Sequence, residues 1–259
     1  GIAPERIKVE LGDSDLPEAP VSGGSMTAAS VTPAVQDAAS QVRDKLIAIA
    51  IADPGSRLHG ADKNSIDSAD GWLHSKTGAN KREPFAAIIA RAGGTPVEAQ
   101  GEGRASDETK KEYATHSFGA VFAEVEVDEP LAQIRVRRIV AAYSVGRILN
   151  AKTARSQLIG GIVWGIGMGL LEHTQVDPNT GRVANANLAQ YHVPVNADVA
   201  DIDVTFVDED DRIFNPVGAR GIGEIGITGV PAAIGNAVFH ATGKRIRSLP
   251  ITPDNLLAV

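Results

Sequence analysis

Asn215-Pro-Val-Gly-Ala-Arg-Gly-Ile-Gly-Glu-Ile-Gly-Ile-Thr-Gly-Val-Pro-Ala-Ala-Ile-Gly-Asn-Ala-Val238 holds six glycines and one carboxylate, Glu224, pinned between Gly223 and the Ile225-Gly226 pair. Glycine tolerates positive φ and lets another group approach the backbone closely, so this density predicts a backbone wrapped against a ligand. The small apolar run from Val230 to Val238 predicts a helix packed behind that loop. A lone carboxylate in so small and apolar a setting is expected to have its charged form disfavoured, the environment of a general base. The plainer reading is a glycine-rich connection with an incidental surface glutamate, and the spacing is not that of a phosphate loop.

Three further stretches stand upstream. Gly23-Gly24-Ser25-Met26-Thr27-Ala28-Ala29-Ser30-Val31 leads into a long helix, with Ser25 placed as its N-cap. Phe118-Gly119-Ala120-Val121-Phe122-Ala123-Glu124-Val125-Glu126-Val127-Asp128 alternates as a strand does. Leu158-Ile159-Gly160-Gly161-Ile162-Val163-Trp164-Gly165-Ile166-Gly167-Met168-Gly169 reads as a helix whose five glycines cost roughly 1 kcal/mol each against alanine. Tertiary contact must offset that cost, so its backbone is expected to lie hard against a neighbour.

In this order the four stretches resemble the molybdenum hydroxylases, the xanthine dehydrogenase and aldehyde oxidoreductase family. The part matched is the C-terminal region of the molybdopterin-binding large subunit, with the character of the bacterial three-subunit aldehyde oxidoreductases. The resemblance implies an α+β fold, mixed sheets with packed helices. It also implies molybdopterin with molybdenum, in the cytosine dinucleotide form. By the same resemblance Glu224 is the general base in hydroxylation of aldehydes or N-heterocycles, with water as oxygen source. Gly24 and Ser25 would lie near the dinucleotide, Ala28 and Ala29 would line the substrate space, and Ser30, Val31 and Thr32 would contact the pterin. Gly223 joins this cofactor-binding set, and the glycine-rich helix would pack beside the cofactor. One residue departs from the pattern: animal xanthine oxidoreductases place a glutamine near the pterin where this chain has Trp164, which cannot copy an amide.

Composition bounds the rest. With 259 residues the chain can bury one sizeable core or two smaller ones. Aromatics are only 4% of residues, so that core must be built from Ala, Val, Ile and Leu. No run approaches 18 apolar residues, which argues against a membrane span. A net charge of −7 without a basic stripe argues against a nucleic-acid partner. Arg135, Arg137 and Arg138 are expected on the solvated edge of a strand. The chain has no cysteine, hence no Cys₄ set for an iron–sulfur cluster. In the resembling family the clusters and the FAD would then sit on partner subunits. Both a cytoplasmic and a periplasmic compartment stay open.

The opening residues lack the basic and apolar regions of a signal peptide. Residues 6–11 alternate as a strand, which in the family lies well inside a longer subunit. The chain is therefore expected to be a C-terminal fragment or half of a split subunit, with the N-terminal half as partner. Two subdomains are expected, residues 1–112 and 113–259. Residues 53–82 read as a polar, partly extended surface region, 84–92 as a short helix ending at Gly93-Gly94, and 102–112 as a charged connector. The pattern then predicts strands at 121–127 and 134–145, an Asn150-capped helix to about Glu172, and strand-like segments near Val193 and at 204–207. The six histidines show no metal-ligand spacing. Two other functions remain: a non-catalytic half-subunit that needs its N-terminal partner to bind cofactor, and an unrelated domain cradling a nucleotide phosphate.

Overall fold

A computed structural model describes residues 1–78, 80–103, 111–199 and 201–257. The chain forms two compact units, one of Gly1–Val21 with Ser30–Arg104 and one of Ser22–Ala29 with Ala105–Val259. Most of the expected charged connector lies outside the described residues.

The first unit is organised by helix α1, Thr27–Ala52, whose first turn belongs to the second unit. Leu46, Ile47 and Ala50 are its buried stripe, at the helical spacing that brings such residues onto one face. Val35 of the same helix is 61% exposed. Strands β1 (Ile66–Ala69), β2 (Trp72–Ser75) and β3 (Arg82–Pro84) form an antiparallel meander, with α2 (Phe85–Arg91) following directly. This sheet lies where a region without clear periodicity was expected; four- and three-residue strands are too short to display alternation. Leu58, Ile66, Leu73 and Ile88 close the core with α1. The short helix ends at Gly93 (φ 96) and Gly94 (φ 74), as the glycine pair predicts.

Residues 6–11 are not a strand. A single 3-10 turn, Pro4–Arg6, is followed by extended chain with no ladder partner among the described residues. Ile7, Val9 and Leu11 are 54%, 74% and 82% exposed, so alternation alone did not supply a sheet to pair with.

The second unit is a mixed three-stranded sheet backed by helices. Strands β4 (Phe118–Asp128) and β5 (Gln133–Ser144) pair antiparallel, with a register shift at Glu124/Val125. The chain crosses through α3 (Ala151–Leu170) and returns as β6 (Asp201–Phe206), parallel to β5. The order β4-β5-β6 makes β5 the central strand. Arg135, Arg137 and Arg138 are exposed on β5; β6 pairs only from Arg138 onward, so Arg135 and Arg137 stand where β4 alone flanks the strand among the described residues, and Arg137 pairs with Glu126 of β4. Near Val193 there is no strand.

Asn150 caps α3 as expected, its side chain accepting from Thr153 N–H at 3.1 Å. Helix α4 (Val230–Thr242) packs against α3 and β4, and a short α5 (Pro253–Leu257) completes the unit. Its core joins Ile139, Ala141 and Tyr143 of β5 to Leu158, Ile162 and Ile166 of α3 and to Val230, Ile234 and Val238 of α4. Each such side chain, fully buried, contributes about 1.5–3 kcal/mol relative to exposure. No described helix is long and apolar enough to cross a membrane.

Candidate active site

The glycines of α3 have protein partners. A Cβ on Gly161 would lie 2.8 Å from the Gly226 backbone, and one on Gly165 would lie 2.5 Å from Val230 Cβ. Gly169 faces Ile234 and Gly167 faces Pro194. The close contacts that the glycines of this helix were expected to need are made at Gly161, Gly165 and Gly169 by the Glu224 loop and α4, and at Gly167 by Glu172 and Pro194. Gly160 differs, with open space where its side chain would be.

That packing seats the loop from Gly218 to Gly229. Gly226 is wedged against α3, where its Cβ would meet the Leu158 carbonyl at 2.8 Å. Tyr143 Oη donates to the Gly226 carbonyl at 3.3 Å. Burial pushes the Tyr143 phenol up to about 12, so it remains a neutral donor. Gln157, on the exposed side of α3, donates to the Gly223 carbonyl at 2.6 Å. The Gly223 carbonyl just before Glu224 and the Gly226 carbonyl two residues after it are thus held from the helix and sheet beneath. Neither Tyr143 nor Gln157 was picked out in the sequence, because nothing local marks a side chain that serves a loop 66 or 83 positions away.

The loop's other face meets Ser25. Gly221 and Gly223 lie under it: a Cβ on Gly221 would be 2.7 Å from the Ser25 carbonyl oxygen, and one on Gly223 would be 2.8 Å from Ser25 Oγ. At Gly221 the clash is with backbone, which leaves room for glycine alone. Ser25 does not cap α1 as expected. It sits two residues before the helix at φ 60, following Gly24 at φ 59, whereas an N-cap needs extended backbone. Its hydroxyl donates instead to Glu224 Oε2 at 3.3 Å.

The structure therefore brings Ser25, Gly223 and Glu224 together, with Gly24 adjoining them. Ala28 and Ala29 stand on the first turn of α1. Ser30, Val31 and Thr32 continue that helix in the first unit, half-buried, with Gly103 packed so tightly on the Ser30 carbonyl that any Cβ would clash. Glu224 itself is exposed. The buried apolar setting expected for it is not built by this chain, because the glycines that flank it supply no side chains to cover it.

A sequence profile describing a molybdopterin cofactor-binding domain matches residues 1–200. The chain belongs to that family. It is the molybdenum hydroxylase family whose motifs the sequence resembles. The molybdopterin-binding chain is 41% identical over 257 residues to the aldehyde oxidoreductase molybdenum-binding subunit PaoC of Escherichia coli K12, covering 99% of this chain and 33% of that protein. Among solved structures it superposes on quinoline 2-oxidoreductase from Pseudomonas putida 86 with TM-score 0.69 and 26% identity, covering 85% of this chain and 28% of the other. The reconstituted CO dehydrogenase from Oligotropha carboxidovorans shares the fold at TM-score 0.68 and 16% identity, over 85% and 27% of the two chains. This domain thus spans about a third of the length of such relatives.

The residues present fit an anionic, oxygen-rich cofactor. Gly24 and Thr27 are exposed at the start of α1, a helix N-terminus whose dipole favours negative charge. Thr27 adds a hydroxyl donor there. Among the described residues no cluster of three His, Asp or Glu side chains is placed to ligate a metal.

Proposed function

We propose that this domain takes part in molybdenum-dependent hydroxylation of aldehydes or N-heterocycles with water as oxygen source, and that Glu224 is its general base. The observation that carries the reading is the mounting of Glu224. It is an exposed carboxylate on a glycine loop that is hydrogen-bonded at the Gly223 and Gly226 carbonyls, and its Oε2 is held by Ser25. Among the described residues Oε1 carries no hydrogen bond, so it is the oxygen left to receive a proton. The molybdenum cofactor, when bound, supplies oxygen transfer and takes up two electrons. The chain's own contribution is to place a base of fixed orientation and, through Gly24, Ser25, Ala28, Ala29, Ser30, Val31, Thr32 and Gly223, to hold the cofactor and leave room for a flat substrate. Small side chains at Ala28 and Ala29 keep that space open. The names of the relatives, an aldehyde oxidoreductase subunit and a quinoline oxidoreductase, support the substrate class.

In the assembled enzyme, Glu224→Gln is expected to abolish nearly all turnover while leaving molybdenum bound. Near-normal turnover in that variant refutes the assignment.

Exposure of Glu224 and the coverage of about a third of its relatives support a pocket completed by other protein. We infer that the N-terminal half of a molybdenum subunit covers the base, that the dinucleotide is the cytosine form, and that iron–sulfur and FAD subunits carry the electrons away. Native mass spectrometry of the protein from its source tests this. An assembly with a molybdopterin-sized adduct supports it, and a lone cofactor-free chain favours a non-catalytic piece.

A further inference from the structure

We propose that Arg220 is a positioning residue that sets the orientation of Glu224, an inference that rests on the general-base reading above. Arg220 stands four positions before the base, and its side chain is 6% exposed. Its Nη2 donates to Ser144 Oγ at 2.5 Å and to Glu209 Oε2 at 2.5 Å. Its Nη1 donates to the His116 carbonyl at 3.0 Å and faces Asp211 Oδ2 at 3.3 Å. Ser144 Oγ in turn donates to Glu209. The guanidinium therefore joins the end of β5, the segment entering β4 and the acidic turn after β6. Two carboxylates and two neutral acceptors converge on one fork, which a planar guanidinium matches and an ammonium does not.

The backbone at the same point is stitched as tightly. Arg220 N–H donates to the Val145 carbonyl at 2.9 Å, and Arg147 N–H to the Gly218 carbonyl at 2.7 Å. Ser117 Oγ donates to the Gly221 carbonyl at 2.8 Å. From this anchor the chain has only Gly221, Ile222 and Gly223 before Glu224, and two of the three are glycines with little rotational preference of their own. A loop so soft needs a rigid root for the carboxylate to point one way. Arg220 is that root, while Gly226 against α3 is the fixed point on the far side. Arg220 touches neither Glu224 nor the exposed cofactor-facing residues in any described contact, so it acts through the loop.

The test uses the assembled enzyme with four variants, Arg220→Ala, Arg220→Lys, Ser144→Ala and Glu224→Gln, each read for molybdenum content, kcat and KM. Displacing a catalytic group by about 1 Å costs about 100-fold in rate, so Arg220→Ala is expected to lose roughly that factor in kcat. Its KM should stay within about threefold and its molybdenum content near the parent's, because substrate and cofactor contacts are intact. Arg220→Lys should recover part of kcat by keeping the charge beside Glu209 and Asp211. If Arg220→Ala does not fold, Ser144→Ala carries the test, with about a tenfold loss of kcat expected from one lost acceptor. The proposal is overturned if the folded arginine variant, or failing that the serine variant, turns over within about twofold of the parent. It is overturned equally if the loss of activity simply tracks loss of molybdenum. Full turnover by Glu224→Gln sinks the base and the clamp together, whereas an inactive Glu224→Gln beside a fully active Arg220→Ala sinks the clamp alone.

Discussion

Ser25 Oγ donates to Glu224 Oε2 at 3.3 Å, although 199 positions separate the two residues. The contact forms because Ser25 sits in the left-handed region at φ 60, a conformation that costs an L-residue roughly 1–2 kcal/mol. A non-glycine residue held there is strain maintained by its surroundings, and here the surroundings are Gly221 and Gly223 directly beneath it.

Ser25→Ala and Ser25→Gly remove the same hydroxyl and differ in backbone cost. Both are expected to lower kcat of the assembled enzyme by about tenfold, because Glu224 loses a hydrogen bond to its charged form. Ser25→Gly should be the more stable of the two by about 1 kcal/mol, since glycine adopts positive φ without strain. Steady-state turnover and thermal unfolding of the pair measure both effects. Parent-like kcat in both variants means the hydroxyl does not orient the base.

Adjacent glycines of α3 should respond in opposite senses. Gly161→Ala places a methyl 2.8 Å from the Gly226 backbone, which cannot swing away, and is expected to destabilise the chain by about 1–3 kcal/mol. Gly160→Ala meets nothing within 4 Å and should stabilise it by about 0.5–1 kcal/mol through helix propensity. Denaturant unfolding of the two variants decides the matter, and equal midpoints contradict the packing account.

Asn150 is the N-cap of the same helix, its side chain accepting from Thr153 N–H. Asn150→Ala is expected to cost about 1 kcal/mol and Asn150→Asp much less, because aspartate accepts the same bond and favours the helix N-terminus. Comparing their unfolding midpoints separates the cap from a general surface effect.

In the first unit, Glu83 is nearly enclosed. Burial pushes its carboxyl up, but hydrogen bonds from Arg91 and Ser56 outweigh that and hold it below the usual carboxylate range. The Arg91 hydrogen bond lowers Asp53 as well, helped by the Gly55 N–H. Folded values below the unfolded ones stabilise the chain above the unfolded pKa of about 4, and the benefit is lost as pH falls through the folded values. Acid should therefore weaken this unit below about pH 4, and Glu83→Gln should flatten that dependence while lowering stability at neutral pH. Unfolding midpoints of parent and variant across the acid range provide the check; parallel curves contradict it.

Much of the second unit was legible in the chain. Strand alternation from Val121 to Val127 and the Asn150 cap are local patterns, and the structure reproduces both. The first unit was less legible. Its strands of three and four residues carry no readable period, and their core depends on Leu58, Leu73 and Ile88 meeting α1 from separate loops. At Ser25 a good capping residue misled, because a side chain that can cap a helix can equally serve a distant carboxylate.

By itself the sequence determined the long helices, the β4–β5 strand pair and the glycine-flanked carboxylate, since helical spacing, sustained strand alternation and glycine density act over a few neighbouring residues. Only the tertiary structure decided what those elements touch. It turned the α3 glycines toward Gly226 and Val230, set Ser25 on Glu224, and gathered Ser144, Glu209, Asp211 and His116 around Arg220. Those partners lie from 9 to 199 positions apart, as between Arg220 and Asp211 or Ser25 and Glu224. Which distant groups meet depends on how the sheet and helices close over a shared core, and no local pattern encodes that.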